Sequence, residues 1–117
     1  MTTLTLLELQ QQFAACLPSL IAKAHSLGYH VTLGDAYRDP RAFGDLGAFK
    51  AYGLPRSAHK QRLAIDLNLF SPEGEFLTDT KYHAELGAWW KAQHPNARWG
   101  GDFNDGNHYS FEYNGVK

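Results

Sequence analysis

The stretch Ser57-Ala58-His59-Lys60-Gln61-Arg62-Leu63-Ala64-Ile65-Asp66-Leu67-Asn68-Leu69-Phe70 decides how this chain is read. From Leu63 to Phe70 it alternates as a half-buried β-strand does, and before that it is polar loop. Asp66 falls inside the strand, between Ile65 and Leu67. A carboxylate is costly to bury there unless it binds a cation or accepts several hydrogen bonds. His59 lies seven residues upstream, close enough for a loop-to-strand connection to bring both side chains to one metal ion. The alternatives are an Asp66 that caps a turn or pairs with Arg62 or Arg38, and a His59 that is merely solvated.

Downstream, Ser71-Pro72-Glu73-Gly74 is turn sequence and predicts a hairpin back toward Phe76-Leu77. Lys81 to Gln93 reads as a helix with Leu86, Trp89 and Trp90 facing inward. Arg98-Trp99-Gly100-Gly101 and Tyr109 to Tyr113 read as late strands joined by the polar loop Asp102 to Asn107. Upstream, Thr5-Leu6-Leu7-Glu8 has the form of a capping box. Leu6, Leu9, Phe13, Leu17, Leu20 and Ala24 then recur at helical spacing on one face. Pro18 either kinks this helix or starts a second one at Ser19, and Gly28 stops it. Tyr29 to Leu33 predicts a strand. Residues 39–58, with three glycines and two prolines, predict loop with a short helical piece around Ala48–Tyr52.

At 117 residues the chain suits one domain, 1–117, and 44% hydrophobic residues with three Trp, six Tyr and seven Phe can fill one core. The net charge of −1 comes without any block of like charge, which argues against a nucleic-acid groove or an anionic membrane surface as partner. No run reaches the ~18 apolar residues of a membrane span. The first residues lack the basic and apolar regions of a signal peptide, so synthesis in the cytoplasm is expected. Cys16 is the only cysteine, which excludes an internal disulfide and a thiolate zinc cluster. It is expected to fill a core position as a small apolar residue rather than to act as a reactive thiol. The expected fold class is α+β, a small antiparallel sheet packed against the N-terminal helix and one later helix.

Near the C-terminus, Asp102-Phe103-Asn104-Asp105-Gly106-Asn107-His108 adds a second histidine and two further carboxylates. Two His and one carboxylate, with a fourth position open, is a standard arrangement for catalytic zinc. Ser57-x-His59-x6-Asp66 together with Asp105-x-x-His108 resembles the signature of the D-alanyl-D-alanine and L-alanyl-D-glutamate metallopeptidases. That family takes in vancomycin-resistance dipeptidases, cell-wall carboxypeptidases and phage endolysins, and shares a fold with lysostaphin-type enzymes and the hedgehog signalling domain. Tyr37-Arg38 and Trp99-Gly100-Gly101-Asp102 also stand in the family's order, so the resemblance spans residues 35 to 112.

The resemblance implies zinc held by His59, Asp66 and His108. It implies Asp105 as general base toward the metal's water, Arg38 as the stabiliser of the oxyanion, and Ser57 as a residue that binds substrate or orients the His59 loop. Arg38 is followed here by Asp39-Pro40-Arg41 where relatives carry Ser or Thr. Two residues, Tyr109 and Ser110, also separate His108 from the Phe111-Glu112 that relatives place directly after the histidine, which keeps Asp102 and Glu112 open as alternative bases. The expected function is hydrolysis of a stem-peptide amide in bacterial peptidoglycan, L-alanyl-D-glutamate first, by a monomer of the endolysin type released through a holin-type pore. The alternatives are a D-Ala-D-Ala carboxypeptidase or dipeptidase, and a non-catalytic zinc-containing module that binds cell wall. His25, His30, His83 and His94 match no motif position and are expected to be solvated or structural.

Overall fold

The N-terminal helix α1, Leu6–Ser26, begins where the capping box predicts. Thr5 Oγ1 accepts from the Glu8 amide, and Glu8 Oε1 accepts from the Thr5 amide, each at 3.1 Å. In this computed structural model, which describes residues 4–48 and 56–117, α1 runs on through Pro18, so no second helix starts at Ser19. Pro18 lacks the N–H that would bond to Ala14, a change that costs about 3 kcal/mol in a helix interior. Beyond it, Leu20 and Ala24 are completely buried, and burying one leucine stabilises by ~1.5–3 kcal/mol, which offsets much of that cost. The helix ends in a left-handed Gly28 (φ +93°), with the Tyr29 amide bonded back to the Ala24 carbonyl at 3.1 Å.

The sheet has five antiparallel strands in which β2, Ala64–Phe70, is the common member. Strand β1, His30–Leu33, pairs along one edge with His30 opposite Phe70. Along the other edge lie β5, His108–Phe111, opposite residues 64–66, and the short β3, Phe76–Leu77, opposite Leu69 and Phe70. Strand β4, Ala97–Trp99, completes the order β1-β2-β5-β4. Two boundaries differ from the sequence reading. Gly100 and Gly101 leave the strand in a tight turn, Gly100–Phe103. The last strand starts at His108 rather than Tyr109, and Tyr113 lies outside it, bridged to Val116. Between β1 and β2 a four-residue helix α2, Pro40–Phe43, was not expected; Asp39 caps it and proline takes its first position. The helical piece expected around Ala48–Tyr52 falls outside the described residues.

The expected helix over Lys81–Gln93 resolves into a tight turn, Thr80–His83, that runs into α3, Ala84–Lys91. Leu86 and Trp90 are fully buried, and Trp89 packs at the margin of the core. Alternation along β2 turns Ile65, Leu67 and Leu69 into that core. There the Phe13 ring of α1 meets Phe111 edge-on at 5.2 Å and Trp90 at 6.0 Å. Cys16 sits half-buried against the same cluster, and burial pushes its thiol pKa up, as suits a packing residue. The molecule is therefore α+β, as expected. The other face of β2 presents Asp66, Asn68 and Phe70, and the candidate site is built on that face.

Candidate metal centre

His59 is carried by a tight turn, Ala58–Gln61, which Ser57 caps: its Oγ accepts from the His59 amide at 3.2 Å. Arg62, left-handed at φ +58°, ends the turn and lays its guanidinium over the Tyr37 ring at 4.1 Å. The turn is tied to the segment after β1 by the Arg38 amide, bonded to the His59 carbonyl at 3.0 Å. The His59 ring, 1% exposed, has Nδ1 at 2.7 Å from the Ala36 carbonyl oxygen and Nε2 at 3.2 Å from Asp66 Oδ1. A carbonyl only accepts, so Nδ1 carries the proton and donates it. Nε2 then faces a carboxylate oxygen, a pair that needs a positive centre between its members, either a proton or a metal ion.

Asp66 and His108 are direct partners across β2 and β5. His108 Nδ1 stands 3.6 Å from Asp66 Oδ1, too long for an ordinary hydrogen bond. Burial pushes the Asp66 carboxyl up, but the two imidazoles outweigh it and hold the pKa at about 2. Both ring nitrogens of His108 are buried without a hydrogen-bond partner. An orphaned polar group of this kind costs roughly 1–3 kcal/mol, which a coordinated cation would remove at the nitrogen facing Asp66. The ligand atoms of His59, Asp66 and His108 all lie within 4.8 Å of one another. A tetrahedral zinc with ligands at 2.0–2.2 Å sets them about 3.3–3.6 Å apart, close to the 3.2 and 3.6 Å measured from Asp66. The three residues that the sequence singled out can therefore hold a metal ion.

The surrounding carboxylates are separated by the fold. Asp102 binds Lys91 Nζ at 3.0 Å and Glu112 stands 3.5 Å from Arg98 Nε, each turned to its own cation. Asp105 is the one beside a candidate ligand, with Oδ2 at 3.7 Å from His108 Nδ1 and the side chain half exposed. Arg38, nearly buried, donates from Nη1 to Ser57 Oγ at 3.1 Å and from Nε to Asp35 Oδ2 at 3.3 Å. Ser57 Oγ thus receives both the His59 amide and Arg38, which makes it an organiser of the turn.

Two contributors escaped the sequence reading. The Ala36 carbonyl that fixes the His59 tautomer has no side-chain signal at all. Gly100 reads in the sequence as strand and as part of the Trp99-Gly100-Gly101-Asp102 motif without a role of its own, yet a Cβ there would overlap the Asp105 carbonyl oxygen and come within 2.6 Å of His108 Cβ. The remaining histidines are exposed or structural, as expected: His94 stacks on Phe111, and buried His83 has Nδ1 2.6 Å from the Tyr109 hydroxyl. Among the described residues no helix is long and apolar enough to cross a membrane. No protein-family model and no curated protein sequence matches this chain.

Proposed function

We propose that the chain is a zinc-dependent peptidase with the hedgehog/DD-peptidase-like fold, which hydrolyses an amide bond in the stem peptide of bacterial peptidoglycan, L-alanyl-D-glutamate first. One observation carries the reading. His59 Nε2 and an unpartnered His108 nitrogen converge on one oxygen of Asp66, and a half-exposed carboxylate stands next to them. Two imidazoles and a carboxylate without thiolate are the donor set of catalytic zinc rather than of a closed structural site. A bound zinc supplies Lewis acidity, polarising a carbonyl and lowering the pKa of water toward ~7.

The chain's own residues do the rest. Ala36 keeps the proton on His59 Nδ1 and so keeps Nε2 a ligand. Asp105 Oδ2 takes a proton from the attacking water and returns it to the leaving amine nitrogen. Its half-exposed position beside His108 supports that role, and Asp102 and Glu112 are engaged elsewhere. Asp35 and Ser57 hold the Arg38 guanidinium in place, where it stabilises the carbonyl oxygen as charge develops there. Preorganised donors of this kind are worth about 3–4 kcal/mol.

The test is to digest purified peptidoglycan with the metal-depleted protein, with and without added zinc. Zinc-dependent release of amino groups is expected, with fragments that mass spectrometry shows to begin at glutamate. Release of free D-alanine instead would move the assignment to the terminal bond. Absence of new amino groups, or an Asp105→Ala variant as active as wild type, would overturn the reading.

A further inference from the structure

One step beyond Asp66 on the same face of β2, Asn68 opens a pocket of about 250 Å³ that the metal centre does not use. That size is below the ~300–1,000 Å³ of sites for drug-sized ligands and suits a single small ring. Asp105 stands on its rim, so the pocket adjoins the candidate site. It is lined by neutral hydrogen-bonding side chains, among them Asn68, Thr78, Thr80 and Asn107, and among the described residues Asp105 is the one formal charge that lines it. Among the described residues no Lys or Arg lines it, so these offer nothing to a phosphate or carboxylate. His83 closes the floor as a neutral imidazole, since burial lowers its pKa to about 4.

At the mouth stands Phe76, 53% exposed. A lone exposed aromatic means little. This one is backed by Phe70, with the two rings stacked at 5.1 Å and 23°, so one face is supported and the other faces outward. The walls are also fixed before any ligand arrives. Asn68 Nδ2 donates to Thr32 Oγ1 at 3.2 Å, which turns its oxygen into an oriented acceptor. Gly106 approaches Thr80 so closely that a Cβ would come within 2.6 Å of Thr80 Cα, and Trp99 Nε1 holds the Gly106 carbonyl at 2.7 Å. Preorganised walls reduce the cost of ordering on binding.

An aromatic platform beside neutral amides and hydroxyls matches a ligand with one C–H face and a rim of hydroxyls. We propose that this pocket binds a pyranose sugar, specifically an N-acetylated amino sugar, with its C–H face on Phe76 and its polar groups on Asn68, Thr80 and Asn107. The sugar class follows from the pocket, and the N-acetyl specification rests on the peptidoglycan reading above. With both sites filled, a glycan unit lies against Asp105 while the peptide attached to it passes the metal centre.

The test is a titration of the full chain, metal-depleted and zinc-loaded, with N,N′,N″-triacetylchitotriose, followed by amide chemical shifts. Saturable shifts centred on Asn68, Thr80 and Asn107 are expected in both forms. Phe76→Ala should weaken binding by at least about tenfold while zinc affinity stays unchanged, and Phe76→Tyr should restore it. Absence of saturable shifts, shifts centred elsewhere, or unchanged affinity in Phe76→Ala would overturn the proposal. Maltotriose binding as well as the amino sugar would overturn the N-acetyl assignment. The readout is sugar binding alone, so a failure of peptide hydrolysis leaves it intact.

Discussion

Gly100→Ala isolates the packing that holds the downstream half of the metal centre. The added methyl would overlap the Asp105 carbonyl oxygen, lie 2.6 Å from His108 Cβ and 3.0 Å from the Asp105 carbonyl carbon. Non-bonded carbons sit comfortably at about 3.5–4.0 Å, so His108 and Asp105 must retreat by roughly 1 Å. They cannot retreat separately, because the His108 amide bonds the Asp105 carbonyl at 3.0 Å and the Asp105 amide bonds the Gly100 carbonyl at 2.8 Å. Overpacking of this kind destabilises by about 1–3 kcal/mol, or roughly 4 °C in Tm per kcal/mol for a chain of this length. The effect on the site should be larger than the effect on the fold. Displaced ligand support typically costs ~10–100-fold in metal affinity, and a 1 Å misplacement costs about 100-fold in rate. Zinc affinity by competition with a chromophoric chelator, read beside thermal melts, separates the two. Gly115→Ala is the control: it is strained by its φ of +77° but meets nothing within 4 Å, so it should lose stability and keep zinc affinity. A Gly100→Ala protein that binds zinc as tightly as wild type would refute the reasoning.

Three further outcomes are expected. Removing zinc with a chelator should lower Tm by about 10 °C relative to protein at 100 times its Kd, since such saturation contributes ~2.7 kcal/mol; an unchanged melt would mean no metal binds the native state. His83 is buried neutral with its pKa lowered to about 4, so the unfolded chain takes up its proton first as pH falls. Stability from this residue is complete above its ordinary value near pH 6.5 and is lost between there and pH 4, by up to about 3 kcal/mol; His83→Gln should flatten that part of the wild-type curve in denaturant titrations, and identical curves would contradict it. Arg38→Lys keeps the charge but replaces the planar fork that reaches both Asp35 and Ser57; kcat should fall by roughly 100-fold with little change in KM, read from amino-group release.

What could be seen in the sequence was whatever repeats along it. Leu9, Phe13, Leu20 and Ala24 keep helical spacing and are buried as that spacing requires. Ile65, Leu67 and Leu69 alternate with Asp66 and Asn68, which separates core face from site face. His59, Asp66 and His108 were readable as candidate ligands because each carries a side chain suited to that chemistry. The misses have physical causes. Asp39-Pro40 holds the cap and first-position signals of α2, but its four residues are too few to show any period. Pro18 reads locally as a breaker, and the burial that carries α1 past it is visible only in three dimensions. The pocket beside Asn68 draws on β2, β3 and the segments around Thr80 and Asn107, so no local pattern contains it.

The pairing of Asp66 with His108 across β2 and β5 has a consequence for assembly as well as for chemistry. Shifting β2 by one residue would turn Asp66 toward Trp90 and Phe111 and bring Ile65 or Leu67 opposite His108. A metal ion then meets an imidazole and a hydrocarbon side chain, and gains nothing. Only the native register sets carboxylate against imidazole, so a bound cation would act as a proofreader of strand pairing, rewarding one alignment of two short strands among several that hydrophobicity alone would tolerate.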